Sequence, residues 1–213
     1  MYLITFVLID FTVEIAKKLK IKTITHKKNK GYGGNQKTCY DAALKDGADI
    51  VVMIHPDYQY DPKILEDMIF PIATNRVKAV FASRFLYAKD PLKGGMPLYK
   101  YISNRFLTFI ENVILRTNLS EFHTGYRSYS KELLKSINYR QLSDNFVFDT
   151  QIIIKIVLNK FRIREVPVET KYFKDASSIG FWPSVVYGLS ILRELCKYIL
   201  TKLKIYKFKI YTS

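Results

Sequence analysis

Cysteine and histidine are scarce: two and three in 213 residues. Cys39 and Cys196 lie far apart, each in a helix-like context. That excludes a disulfide framework or a zinc pair and fits small core residues in a reducing compartment. The scattered histidines form no metal motif. No run reaches the roughly 18 apolar residues that a membrane span requires. The apolar opening MYLITFVLIDF lacks a basic leader and a small-residue cleavage site, so it reads as a strand rather than a signal peptide. Internal repeats, low-complexity tracts and Gly/Ser linkers are also missing, which leaves one domain long enough to bury a core. Acidic residues are few, 19 against 34 Lys plus Arg, for a formal net charge of +15. That excess favours a nucleoside diphosphate, nucleic acid or an anionic membrane surface as partner, or reflects only a lysine-rich exterior. The apolar share of 48% and aromatic share of 15% exclude disorder.

What is present alternates between two periods. Residues 2–9 read as a strand, 12–20 as a helix with Ile15, Ala16 and Leu19 inward, and 22–26 as a second strand. A loop, KNKGYGGNQ, precedes a helix over 36–46 that stops at Gly47. Residues 49–54 have the texture of a strand covered on both faces, 63–73 of a helix and 77–83 of another strand. This order predicts an α/β fold with a mostly parallel sheet, in which ligands bind at the carboxyl ends of the strands. Polar clusters at 29–36, 55–61 and 83–84 fall at such ends. Beyond residue 90, PLYKYISNRFLTFIENVIL places Leu98, Ile102, Phe106, Phe109, Ile110 and Val113 at helical spacing. A loop over 120–130 leads to short helices at 131–137 and 148–159, then two strand-like pieces around Pro167. An amphipathic helix over 182–203 ends the chain with a lysine-studded tail.

Each polar cluster has a chemical and a purely structural reading. The glycines of KNKGYGGNQK let amides approach an anion at a helix N-terminus, or simply turn the chain. They match neither a P-loop nor a GxGxxG fingerprint. In HPDYQYDP, Asp57 is placed to bind Mg²⁺ or Mn²⁺, or is an acidic turn residue. Asp61 before Pro62 reads as a helix N-cap. Arg84 is either a fork for a diphosphate or a surface arginine. Arg127 lies in HTGYRSYS, a candidate mobile binding loop. Asp149, in DNFVFDTQ, either complements a helix dipole or serves as a general base. The segment LCKYILTKLKIYKFKIY suits an anionic membrane surface or a docked helix with a solvated tail. No nucleic-acid-reading motif accompanies the charge.

Together NKGYGGNQKTCYDAAL, ADIVVMIHPDYQYDP, FASRF, GGMPLYKYISNRFLT, SEFHTGYRSYSKELL, NFVFDTQ and VPVETKYF resemble the inverting family 2 glycosyltransferases. The likeness is to the dolichyl-phosphate mannose synthase-like branch, with a GT-A fold, from about Thr12 to Lys197. It implies transfer of a sugar from a nucleotide-sugar donor to a sugar or lipid-linked acceptor, assisted by Mg²⁺ or Mn²⁺. The family's Asp-x-Asp corresponds to His55 and Asp57, so histidine replaces the first acid, and Gln59 follows. By the resemblance Asp57 and His55 hold the metal, while Gly31, Gly33, Gly34, Asn35 and Gln59 line the nucleotide pocket. Arg84 approaches the diphosphate, Thr124 and Arg127 shape the acceptor side, and Asp149 or Glu121 is the base. Residues 1–95 would then be nucleotide-binding, 96–180 acceptor-binding and catalytic, and 181–213 a C-terminal helix and basic tail. A cytoplasmic location follows, with peripheral contact at the inner face of a membrane. The family's first strand–helix unit has no counterpart here, and of its second motif only Asp10 corresponds. The resemblance therefore implies a shortened member, either active or a remnant that assembles with a partner enzyme.

Overall fold

The computed structural model describes residues 2–5, 12–55, 59–86, 91–172 and 180–212. Asp10 and Asp57 lie outside them. Tyr2–Thr5 (β1) pairs in parallel with Lys22–Thr25 (β2), joined through helix Thr12–Lys18 (α1). Helix Gly31–Lys45 (α2) leads to Ile50–Met53 (β3). Asp61 caps the turn at Pro62–Ile64 by accepting the Lys63 amide at 2.9 Å, and Leu65–Ala73 (α3) follows. Then come Ala79–Ser83 (β4), Leu98–Leu115 (α4) and Arg127–Ser130 (β5). The remaining elements are Lys131–Ser136 (α5), Phe148–Leu158 (α6), Ile163–Pro167 (β6) and Phe181–Lys202 (α7).

The main sheet has the order β3-β5-β4-β6. β4 and β6 are parallel, but β5 lies antiparallel between β3 and β4, so the sheet is mixed. Strand alternation sends β4 side chains to two cores. Ala79 and Phe81 join Val51, Tyr129 and residues of α2, α5, α6 and α7 on one face, while Val80 and Ala82 meet Met68 and Ile72 of α3 on the other. From Phe148 to Ile156, α6 is buried on all sides, as its apolar run Ile152–Ile154 requires.

Five expectations change. Residues 127–130 form a central strand instead of a mobile loop, because Arg127 pairs in register with both Met53 and Phe81. α2 begins at Gly31, so the glycines occupy its first turn. In α1 Ala16 is buried, while Ile15 and, just past the helix, Leu19 are exposed. Apolar spacing defines a face without saying what covers it. α4 is the sharpest case: Asn104, Thr108 and Glu111 are buried, while Leu98, Ile102, Phe106, Phe109 and Val113 face outward. Finally, α7 docks through Ile191, Leu195 and Tyr198, and the tail folds back so that buried Tyr211 donates to Glu194 Oε2 at 2.8 Å.

Candidate active site

β3 and β4 end on the same side of the sheet, and antiparallel β5 begins there. His55 just past β3, Arg84 just past β4 and Gly125 just before β5 therefore meet at one rim. They line a cleft of about 620 Å³ that α4 and α7 enclose. Gln59 and Asp149 line it too. The His55 ring lies over Gly125, where a Cβ would fall 2.3 Å from Nε2. Tyr32 and Tyr60 flank the ring at centroid distances of 6.3 and 6.2 Å. A larger residue at 125 would push the imidazole off the rim.

Asp149 sits in the first turn of α6 and is buried. Its Oδ2 accepts from the Tyr32 hydroxyl at 2.9 Å and lies 3.6 Å from Arg127 Nη2. Oδ1 has no hydrogen-bond partner among the described residues. A buried carboxylate oxygen left unpaired is costly, so its presence on a cleft wall marks a position for a ligand donor, a water or a cation. Burial and the Asp149 charge together raise the Tyr32 phenol well above its ordinary value, so it stays a proton donor to Asp149.

Other expected ligands turn out to be occupied. Arg127 is fully buried: Nε donates to Thr124 O at 2.8 Å and Nη2 to Phe122 O at 2.7 Å. It staples the 122–127 turn and counterbalances Asp149, and neither it nor buried Thr124 lines the cleft. The amides of Gly33 and Gly34 are directed at Asp144 O, at 2.7 and 3.3 Å, so they are not open to an anion. Glycine is needed there because a Cβ on Gly33 would lie 2.3 Å from Ser143 O and 2.8 Å from Phe148 Cβ. Gly31 and Asn35 instead line a second cleft of about 450 Å³, walled by Tyr32 and Phe146, which also border the first.

Glu121 does not suit the role of base. It is fully buried and accepts from the Arg84 amide at 2.9 Å, from Arg84 Nε at 2.8 Å and from Asn104 Nδ2 at 2.9 Å, with Arg84 Nη2 as a further partner. Burial alone would raise its carboxyl pKa, but the Arg84 charge and these bonds hold it below the usual range. A carboxylate so stabilised is a poor proton acceptor. Arg84 in turn spends its fork on Glu121, the Tyr172 hydroxyl and His123 O, which leaves one Nη1–H for a ligand among the described residues. Since Glu121 neutralises Arg84, the net positive charge of that wall comes from Lys100, whose pKa is lowered by burial and by Arg84.

Lys100, Tyr32 and Tyr172 are among the cleft residues that sequence patterns missed. A lysine within the apolar stripe of 97–115 was the one available signal. As for a metal, the described residues contain no group of three His, Cys, Asp or Glu side chains able to hold one. Of the two expected metal ligands, His55 lies on the rim and Asp57 is outside the described residues.

A mixed sheet with helices on both faces and a polar cleft at its strand ends is the GT-A architecture of nucleotide-sugar glycosyltransferases. Residues 9–137 match the model of glycosyl transferase family 2, and the chain belongs to that family. An uncharacterized protein of Methanocaldococcus jannaschii is 31% identical over 87% of this chain and 75% of its own length. The UDP-N-acetylglucosamine–dolichyl-phosphate N-acetylglucosaminyltransferase of Methanococcus voltae is 30% identical over 83% of this chain and 68% of its own. Among solved structures, glucosyl-3-phosphoglycerate synthase from Mycobacterium tuberculosis with bound uridine diphosphate superposes with a TM-score of 0.65. It is 14% identical, over 95% of this chain and 68% of that one, a likeness of fold.

Proposed function

We propose that this chain is an inverting, metal-assisted glycosyltransferase that moves a sugar from a nucleoside-diphosphate donor to a phosphate carried on a polyprenol. The observation that carries the reading is the cleft's polar lining: the Asp149 oxygen without a hydrogen-bond partner among the described residues shares one cleft with His55, Lys100 and the remaining Arg84 N–H. The M. voltae relative, named for a dolichyl-phosphate acceptor, supports the acceptor class. The M. tuberculosis neighbour with Mn²⁺ and uridine diphosphate supports the donor class and the ion.

In this reading Asp57, His55 and Gln59 face the donor diphosphate, while Lys100 and the remaining Arg84 N–H draw the acceptor phosphate toward the anomeric carbon. An acceptor phosphate oxygen bonds to that carbon as its bond to the diphosphate oxygen breaks. The nucleoside diphosphate departs with the electron pair, and the anomeric configuration inverts. A bound divalent cation would offset charge on the leaving diphosphate. Asp149 holds donor hydroxyls through Oδ1. For an acceptor that presents a hydroxyl, the same carboxylate takes its proton. Residues 1–95 then act chiefly on the donor and 96–180 on the acceptor, with 181–213 closing the cleft.

Titration calorimetry with UDP-N-acetylglucosamine and GDP-mannose, with and without Mn²⁺, tests the donor half. Radiolabelled transfer to a polyprenyl phosphate tests the acceptor half. Mn²⁺-dependent donor binding that Asp57→Ala abolishes is expected. Binding by neither donor would refute the enzyme reading, and equal binding by Asp57→Ala would refute the metal assignment. Donor binding without transfer to any acceptor would favour a non-catalytic assembly partner.

A further inference from the structure

α4 is amphipathic in reverse. Its inward side buries Asn104, Thr108 and Glu111 beside Leu115, and its outward face carries Leu98, Ile102, Phe106, Phe109 and Val113. At 3.6 residues per turn these five fall within an arc of about 80°. Each is more than half exposed, from 58% at Ile102 to 67% at Phe109. The first half of α7 repeats the pattern with Trp182, 75% exposed, Val186 and Leu189. The two helices lie side by side, since a Cβ on Gly188 would sit 3.7 Å from Leu107 Cδ1. Phe106 and Leu189 also border the same cleft, so the stripes join around its mouth. Isolated surface leucines are ordinary, but a continuous apolar face of this kind on a monomer marks an interaction surface.

Charge identifies what the face meets. α4 and α7 contain one carboxylate each, Glu111 and Glu194, and both are fully buried. The exposed charges on these helices are therefore basic, including Arg105 and Arg193, and exposed Lys204, Lys207 and Lys209 follow α7. A second copy of a chain with net charge +15 would be repelled from such a surface. An anionic bilayer would be attracted by its headgroups and would bury the apolar stripe.

We infer that the outer faces of α4 and the first half of α7 dock this protein on an anionic phospholipid surface, with the cleft mouth against the membrane. The C-terminal tail is not the anchor, since Tyr211 folds back onto Glu194. The docking does not depend on the sugar-transfer reading, because donor binding is measured without lipid.

Trp182 is the single tryptophan, so its fluorescence reports the face directly. With vesicles of phosphatidylcholine containing about one third phosphatidylglycerol, its emission shifts to the blue and the protein floats with the lipid. High salt weakens the binding. A Phe109→Glu/Val186→Glu double variant, altered only at exposed positions off the cleft, keeps its thermal melt and binds at least about tenfold more weakly. Three results would overturn the inference: no flotation with unmoved Trp182 emission, equal binding by the double variant, or equal binding to phosphatidylcholine alone. A lipid-free dimer with Trp182 already blue-shifted would also overturn it, making the face an interface between copies.

Discussion

Removing the Glu121 carboxylate separates an architectural role from a chemical one. In Glu121→Ala the Arg84 guanidinium stays buried at the strand end without its counter-ion, and Asn104 loses its acceptor. Breaking a buried pair from one side costs about 3–5 kcal/mol, a large part of the about 5–15 kcal/mol that holds a domain folded. For a chain of this size that lowers Tm by roughly 10 °C. Glu121→Gln keeps the shape but not the charge and costs about 1.5–3 kcal/mol. The pH dependence gives a second readout. Because the folded-state carboxyl lies below its unfolded value, its stabilisation is present above the unfolded pKa and is lost as pH falls through the folded one. Urea unfolding from neutral to acid pH should therefore show a flatter acid limb for Glu121→Gln than for wild type. Unchanged Tm in Glu121→Ala, combined with lost turnover, would refute the argument and restore Glu121 as a chemical group.

Asp149→Asn leaves buried Arg127 without its counter-charge and should cost about 1.5–3 kcal/mol by urea unfolding, while in the folded protein it lowers turnover to a hydroxyl acceptor by about 100-fold or more and transfer to a phosphate acceptor by less. Gly33→Ala forces a methyl against Ser143 O and Phe148, and should cost about 1–3 kcal/mol by urea unfolding. Tyr211→Phe removes the bond to Glu194 and should cost about 0.5–1.5 kcal/mol, a shift readable by calorimetry.

Local order explains which of these features were legible beforehand. The apolar run 49–54, the Asp61–Pro62 cap and the helix signals at 63–73 and 148–159 depend on neighbours in the chain. Each appears within a residue or two of its expected place. The rule that ligands gather where strands end placed His55, Gln59 and Arg84 on one rim before any coordinates. Partners distant in the chain were a different matter. Nothing near Arg84 announces Glu121, 37 residues on, and nothing near Gly33 announces the Asp144 carbonyl that occupies its amide. Tyr32 and Asp149 are 117 residues apart, yet their hydrogen bond defines one wall of the cleft.

By itself, the sequence determined the family, the α/β alternation and the strand-end location of the polar residues, because these follow from periodicity and from motifs a few residues long. Only the tertiary structure decided which charges are already neutralised and which side of α4 is covered. A helical stripe of Leu98, Ile102, Phe106, Phe109 and Val113 has the same period whether it faces a core or the outside. Here the fold places Asn104, Thr108 and Glu111 inward, where Asn104 meets Glu121 and Glu111 meets His123, and leaves the apolar stripe outward.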